Sequence, residues 1–157
     1  MVSVLFVCLG NICRSPMAEG VFRHVVDEAG LGDRIAIDSA GTGPWHVGKP
    51  PDERARATAA RHGIDIGAQR ARQVAPADFA AFHYVLAMDR DNLKTLHRAA
   101  PKAHRDRIRL FLDFAADDGA NDVPDPYYGG PEGFEDVYAL VEGAAAGLLR
   151  HIRHNDL

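Results

Sequence analysis

Apolar and polar positions in this chain alternate between two patterns. Short apolar-rich runs recur at SVLFV (3–7), RIAIDSA (34–40), FHYVLAM (82–88) and RIRLFL (107–112). The first is almost continuously apolar, as expected of a strand covered on both faces. Between the runs, apolar residues return at helical spacing. Met17, Val21, Val25 and Ala29 follow the first run and stop at Gly30. Ser15 and Pro16 are placed to open that helix, as N-cap and first helical residue. Asp52 caps a segment running to about Arg61, and Asp89 opens "DRDNLKTLHRA". Phe134, Val137, Tyr138, Val141, Ala145, Leu148 and Ile152 line one stripe of a last helix. The order βαβαβαβα predicts an α/β fold: a doubly wound, four-stranded parallel sheet with helices on both faces. Nothing in residues 1–157 reads as a repeat, low-complexity tract or linker, so a single domain is expected.

Composition narrows the classes. The 157 residues are 46 % hydrophobic, enough for one core, and the net charge of −4 offers no general attraction to nucleic acid or acidic membranes. No stretch approaches the roughly 20 apolar residues of a membrane span. The opening "MVSVLFVCLG" lacks a basic n-region and reads as a strand rather than a signal peptide. Cys8 and Cys13 are the only cysteines, too few for a disulfide scaffold, which points to a reducing cytoplasm. Abundant Arg and Ala hint at a bacterial, GC-rich genome. The eight histidines show no ligand spacing, so no metal and no cofactor is expected.

The chemistry concentrates in "CLGNICRSP" at 8–16, at the carboxyl end of the first strand, where open parallel sheets bind ligands. A glycine-containing loop leading into a helix N-terminus gathers backbone N–H groups and the positive end of a helix dipole. Arg14 adds a planar fork that matches phosphate oxygens. An ATP-type P-loop is excluded because its G-x-x-x-x-G-K-[ST] pattern is absent. A cysteine at the mouth of such a cradle is favoured as thiolate and can attack the phosphorus that the cradle holds.

With C-x5-R-[ST] in place, "VCLGNICRSPMAEG" closely resembles the signature of the low-molecular-weight protein tyrosine phosphatases, bacterial type. The likeness continues through "DSAGTGPWHVG", "PPDERA", "AMDRDN" and "DPYYGG". The resemblance implies a flavodoxin-like sheet and hydrolysis of phosphotyrosine and small aryl phosphates through a cysteinyl phosphate, without metal or cofactor. It implies Cys8 as nucleophile, Arg14 as phosphate binder and Asp125 as general acid and base. The loop residues Leu9, Gly10, Asn11, Ile12, Cys13 and Ser15 would cradle phosphate. Ser15 would steady the leaving thiolate, and Asn11 would brace the loop with Ser39. Trp45, Tyr127 and Tyr128 would wall the mouth. Cys13 is either a packing residue or the partner of Cys8 in a reversible disulfide. Glu53 departs from the proline of many relatives.

The resemblance further implies phosphotyrosine proteins as partners, including a bacterial tyrosine kinase of polysaccharide export, and a monomer or weak dimer. Asp52 and Asp89 read as helix caps. Asp117, Asp118 and Asp122 read as a solvated acidic loop, and Arg70 and Arg72 as surface residues. The nearest alternatives are a protein-arginine phosphatase of the same family, where the position of Ile12 is typically threonine, and an arsenate reductase, which needs further cysteines. A non-catalytic phosphoprotein-binding module is the alternative from another class, and the presence of both Cys8 and Asp125 speaks against it.

Overall fold

The four expected strands form one parallel sheet in the computed structural model, which describes residues 1–115, 122–127 and 129–157, with Pro131 by its backbone alone. β1 (Val2–Cys8) is central, flanked by β2 (Ile35–Gly41) and β3 (Tyr84–Ala87), and β4 (Ile108–Leu110) closes the far edge. The order is β2-β1-β3-β4. That arrangement is the flavodoxin-like one, with its switch point between β1 and β3.

β1 shows why its sequence is apolar from Val4 onward. Val2, Val4, Phe6 and Cys8 face a core packed by α1 (Arg14–Glu28) and α5 (Pro131–Asn155). Leu5 and Val7 face a second core formed with Phe79 of α3 (Asp78–Ala81) and Leu96 of α4 (Arg90–Ala99). Successive side chains of a strand point to opposite faces, so a strand covered twice needs apolar residues at every position. Phe6 packs edge-on against Phe22 and Phe111 at 5.7 and 5.0 Å.

α2 (Glu53–Arg61) is capped by Asp52, whose carboxylate accepts from the Arg54 amide at 2.8 Å. α4 is capped by Asp89, which accepts from the Asn92 amide at 2.7 Å. Both caps were legible in sequence. The start of α1 was not. The helix begins at Arg14 with Cys13 as a cap residue that makes no side-chain bond. Pro16 still lies in the first turn, where a missing N–H costs nothing. β4 is shorter than the apolar run 107–112, because Phe111–Phe114 winds into a 3₁₀ turn that packs under α5. α3 and the 3₁₀ turn Lys102–Arg107 had no sequence signal. Among the described residues no helix is long and apolar enough to cross a membrane.

Candidate active site

The chain leaves β1 at Cys8 and enters α1 at Arg14, so the intervening loop lies at the switch point. Its carbonyls are held from outside. Thr42 donates to Cys8 O at 2.9 Å, Gly43 to Leu9 O at 3.0 Å and Asp52 to Ile12 O at 2.7 Å. β2 passes so close beneath the loop that a Cβ on Gly41 would lie 2.9 Å from Leu9 O. Gly10 is bare for a similar reason, since a Cβ there would meet the His46 ring at 2.9 Å.

Asn11 is the one non-glycine residue with positive φ among those described, at 58°. Its side chain holds it there. Oδ1 accepts from the Arg72 amide at 3.0 Å, which fixes the amide's orientation, and Nδ2 donates to Ser15 Oγ at 2.8 Å and Ser39 Oγ at 3.0 Å. Ser39 donates to Glu19 at 2.7 Å, and the Ser15 hydroxyl, which accepts from Asn11, lies 3.0 Å from Cys8 Sγ, where either atom can be the donor. The Asn11 amide donates to the same sulfur at 3.3 Å. Cys8 Sγ thus accepts from one backbone amide and shares a hydrogen bond with the Ser15 hydroxyl. The expectation that Ser15 caps α1 is thus corrected: its hydroxyl serves Cys8, not the helix end.

Arg14 is only 2 % exposed. Its guanidinium donates to Asp89 at 2.6 Å and to Val123 O at 3.0 Å, and lies 3.6 Å from the Asp125 carboxylate. Burial opposes its charge, but the Cys8 sulfur, the Asp89 hydrogen bond and Asp125 outweigh burial and hold its pKa above the ordinary arginine value. Asp89 is therefore more than a cap, and it anchors the Arg14 guanidinium. A topological signal existed, since the carboxyl ends of β1 and β3 adjoin. Glu19, His46 and Arg72 also escaped the sequence reading. Arg72, expected on the surface, is half-buried between Asp38 and Asp78, at 3.0 Å from each. Asp122, expected as a solvated acid, accepts from the Arg90 amide at 3.0 Å.

Cys8, Leu9, Gly10, Ile12, Cys13, Arg14, Asp125 and Tyr127 line one cavity of about 360 Å³ with Trp45 and His46. Asp125 is partly exposed, with Oδ1 fixed by the Tyr127 amide at 3.1 Å. Arg54 sits over the Tyr127 ring at 5.4 Å. Trp45 stands 64 % exposed at the rim, folded over Gly43. Asn11, Ser15 and Ser39 lie behind the cavity rather than on it. Tyr128, Asp117 and Asp118 lie outside the described residues. Both cysteines are free and buried, and burial, then the charges of Asp52, Cys8 and Asp125, push the Cys13 thiol far up. Among the described residues no group of three His, Cys, Asp or Glu side chains is placed to hold a metal.

Known proteins share this fold and much of the sequence. A curated low molecular weight protein-tyrosine-phosphatase of Streptomyces coelicolor is 48 % identical, with 96 % of this chain and 93 % of that protein covered. YfkJ of Bacillus subtilis, a low molecular weight protein-tyrosine-phosphatase, is 45 % identical over 98 % of this chain and 97 % of its own. Its crystal structure superposes with a TM-score of 0.95 at 43 % identity, covering 100 % of this chain and 98 % of that one. The Drosophila arginine phosphatase DARP also superposes, at TM-score 0.90 and 32 % identity, covering 98 % of this chain and 99 % of its own. The family model of the low molecular weight phosphotyrosine protein phosphatases matches residues 3–156, and the chain belongs to that family.

Proposed function

We propose that the chain hydrolyses phosphotyrosine in proteins, and small aryl phosphates, through a phosphate carried on Cys8. The observation that carries the reading is the convergence of the Cys8 sulfur, the Arg14 guanidinium and the Asp125 carboxyl on one cavity. The loop amides and Arg14 hold the three non-bridging oxygens. The Cys8 thiolate attacks phosphorus as the P–O bond to the phenol breaks, and the Asp125 carboxylic acid gives its proton to the departing oxygen. In the second step water attacks phosphorus, the P–S bond breaks and Asp125 takes a proton from that water. The Ser15 hydroxyl donates to the sulfur as it leaves. Trp45 and Tyr127 offer aromatic walls to a phenyl ring, and the resemblance implies the same role for Tyr128.

Family membership supports the reaction class, and the named phosphotyrosine activity of the relatives supports the substrate. Phosphotyrosine proteins are the partners this implies, with a tyrosine kinase of polysaccharide export as one candidate, encountered by a cytoplasmic monomer or weak dimer.

Cys8→Ser is expected to abolish turnover and retain phosphate binding. Asp125→Ala is expected to slow cleavage most for phenols that leave poorly, and equal losses for good and poor leaving groups would remove Asp125 from the acid role. The structural likeness to DARP keeps a phosphoarginine substrate as a second reading. Ile12 in place of threonine favours the aryl ester, and paired assays of phosphotyrosine and phosphoarginine peptides separate the two.

A further inference from the structure

A basic surface lies on α4, outside the cavity. Residues 90–109 carry seven Lys and Arg against Asp91 and Asp106, in a chain whose net charge is −4. Arg90, Lys94 and Arg98 stand four residues apart and all are exposed, so they form one row on the solvent face of α4. Leu93 and Leu96 pack on the opposite side against the sheet. Lys102 and Arg105, exposed in the following 3₁₀ turn, extend the basic surface. Arg90 pairs with Asp122 at 3.3 Å. Among the described residues Lys94, Arg98, Lys102 and Arg105 make no ion pair. Arg98, in the last turn, complements the helix dipole, but like charges four residues apart on a helix repel, so the row as a whole is not explained by the stability of α4.

Its position gives it a use. α4 starts beside Asp89, which holds Arg14, so the row begins next to the catalytic cavity and leads away from it. Arg90 to Arg98 spans about 12 Å at 1.5 Å per helical residue. Roughly four residues of extended chain cover that length. We propose that this row is a docking track for an acidic segment of the phosphoprotein substrate, on one side of its phosphotyrosine. The proposal rests on the phosphatase reading above. The remainder of a net-negative molecule repels an acidic chain, while the row attracts it and turns it toward the cavity, an effect that acts chiefly on association rate.

The test compares three substrates: p-nitrophenyl phosphate, a phosphotyrosine peptide carrying four glutamates beyond a short Gly-Ser spacer, and the same peptide with four glutamines. The tract is placed before the phosphotyrosine in one pair and after it in another. At low ionic strength the wild-type kcat/KM is expected to be roughly tenfold higher for one glutamate peptide than for its glutamine partner. High salt removes the difference. The variant Lys94→Glu/Arg98→Glu/Lys102→Glu is expected to lose or reverse the preference while turning over p-nitrophenyl phosphate within twofold of wild type. Equal turnover of glutamate and glutamine peptides by the wild type overturns the proposal, as does a preference that survives in the variant. Retention on phosphatidylserine vesicles without any peptide preference would assign the row to a lipid surface and also overturn it. Failure of the wild type to cleave p-nitrophenyl phosphate would instead refute the phosphatase reading.

Discussion

Replacing Asp89 with asparagine separates two jobs that one carboxylate performs. One oxygen accepts from the Asn92 amide and caps α4, while the other accepts from Arg14 at 2.6 Å. Asparagine caps helices as well as aspartate, so that job survives. The oxygen facing Arg14 becomes an NH2, a donor pointed at a donor. The guanidinium is 2 % exposed, so water makes up only part of what is lost, and Val123 O and the more distant Asp125 remain. Removing one partner of a buried pair costs about 3 kcal/mol. For a chain of this size that is a fall in Tm of roughly 6–12 °C. Asp89→Ala loses the cap as well and should fall by about 1 kcal/mol more. The distinguishing measurement is thermal unfolding with and without inorganic phosphate. A phosphate in the cradle returns a negative charge to Arg14, so phosphate should raise the Tm of Asp89→Asn more than that of wild type. In kinetics, Arg14 is free to swing toward Asp125, and KM for p-nitrophenyl phosphate should rise. If Asp89→Asn unfolds with wild-type Tm and shows wild-type KM, Arg14 is held by something else and the account of the site is wrong.

Three further outcomes follow from the same geometry. Asn11→Ala removes the three bonds that hold a residue at φ 58°; kcat/KM should drop about a hundredfold through misplacement of the loop, and unchanged kinetics would show that the loop keeps its shape unaided. Arg54, by its side-chain bond to Asp52, holds that carboxyl below its ordinary value of 3.8. The stability this confers is complete above the ordinary value and lost as pH falls through the depressed one, so Asp52→Asn should flatten the pH dependence of Tm below about 4; an unaltered acid limb would assign that slope to other carboxylates. Gly147→Ala places a Cβ 1.7 Å from Phe114 O, a contact only backbone movement can relieve; a loss of about 3 kcal/mol in urea unfolding is expected, and a neutral change would mean that α5 and the 3₁₀ turn are not in register as described.

The local determinants were visible in the chain itself. The doubly covered β1, the caps Asp52 and Asp89, and Cys8 with Arg14 at the strand–helix junction all carry their reasons in residue type and spacing. The resemblance added Asp125 and Ser39, which no local pattern singles out. What the sequence could not disclose was contact across long separations. Arg14 meets Asp89 and Asp125 only because β3 lies beside β1. Asn11 reads as a turn residue until Arg72, Ser15 and Ser39 surround its amide. Arg72 and Asp122 looked like solvated charges because their partners are far along the chain or on another element. Ser15 looked like a helix cap because hydroxyls favour that position, yet its oxygen is taken up by Asn11 Nδ2 at 2.8 Å and Cys8 Sγ at 3.0 Å. Spacing determines which elements form and where their ends fall; which charges meet at those ends depends on strand order, which short-range periodicity does not encode.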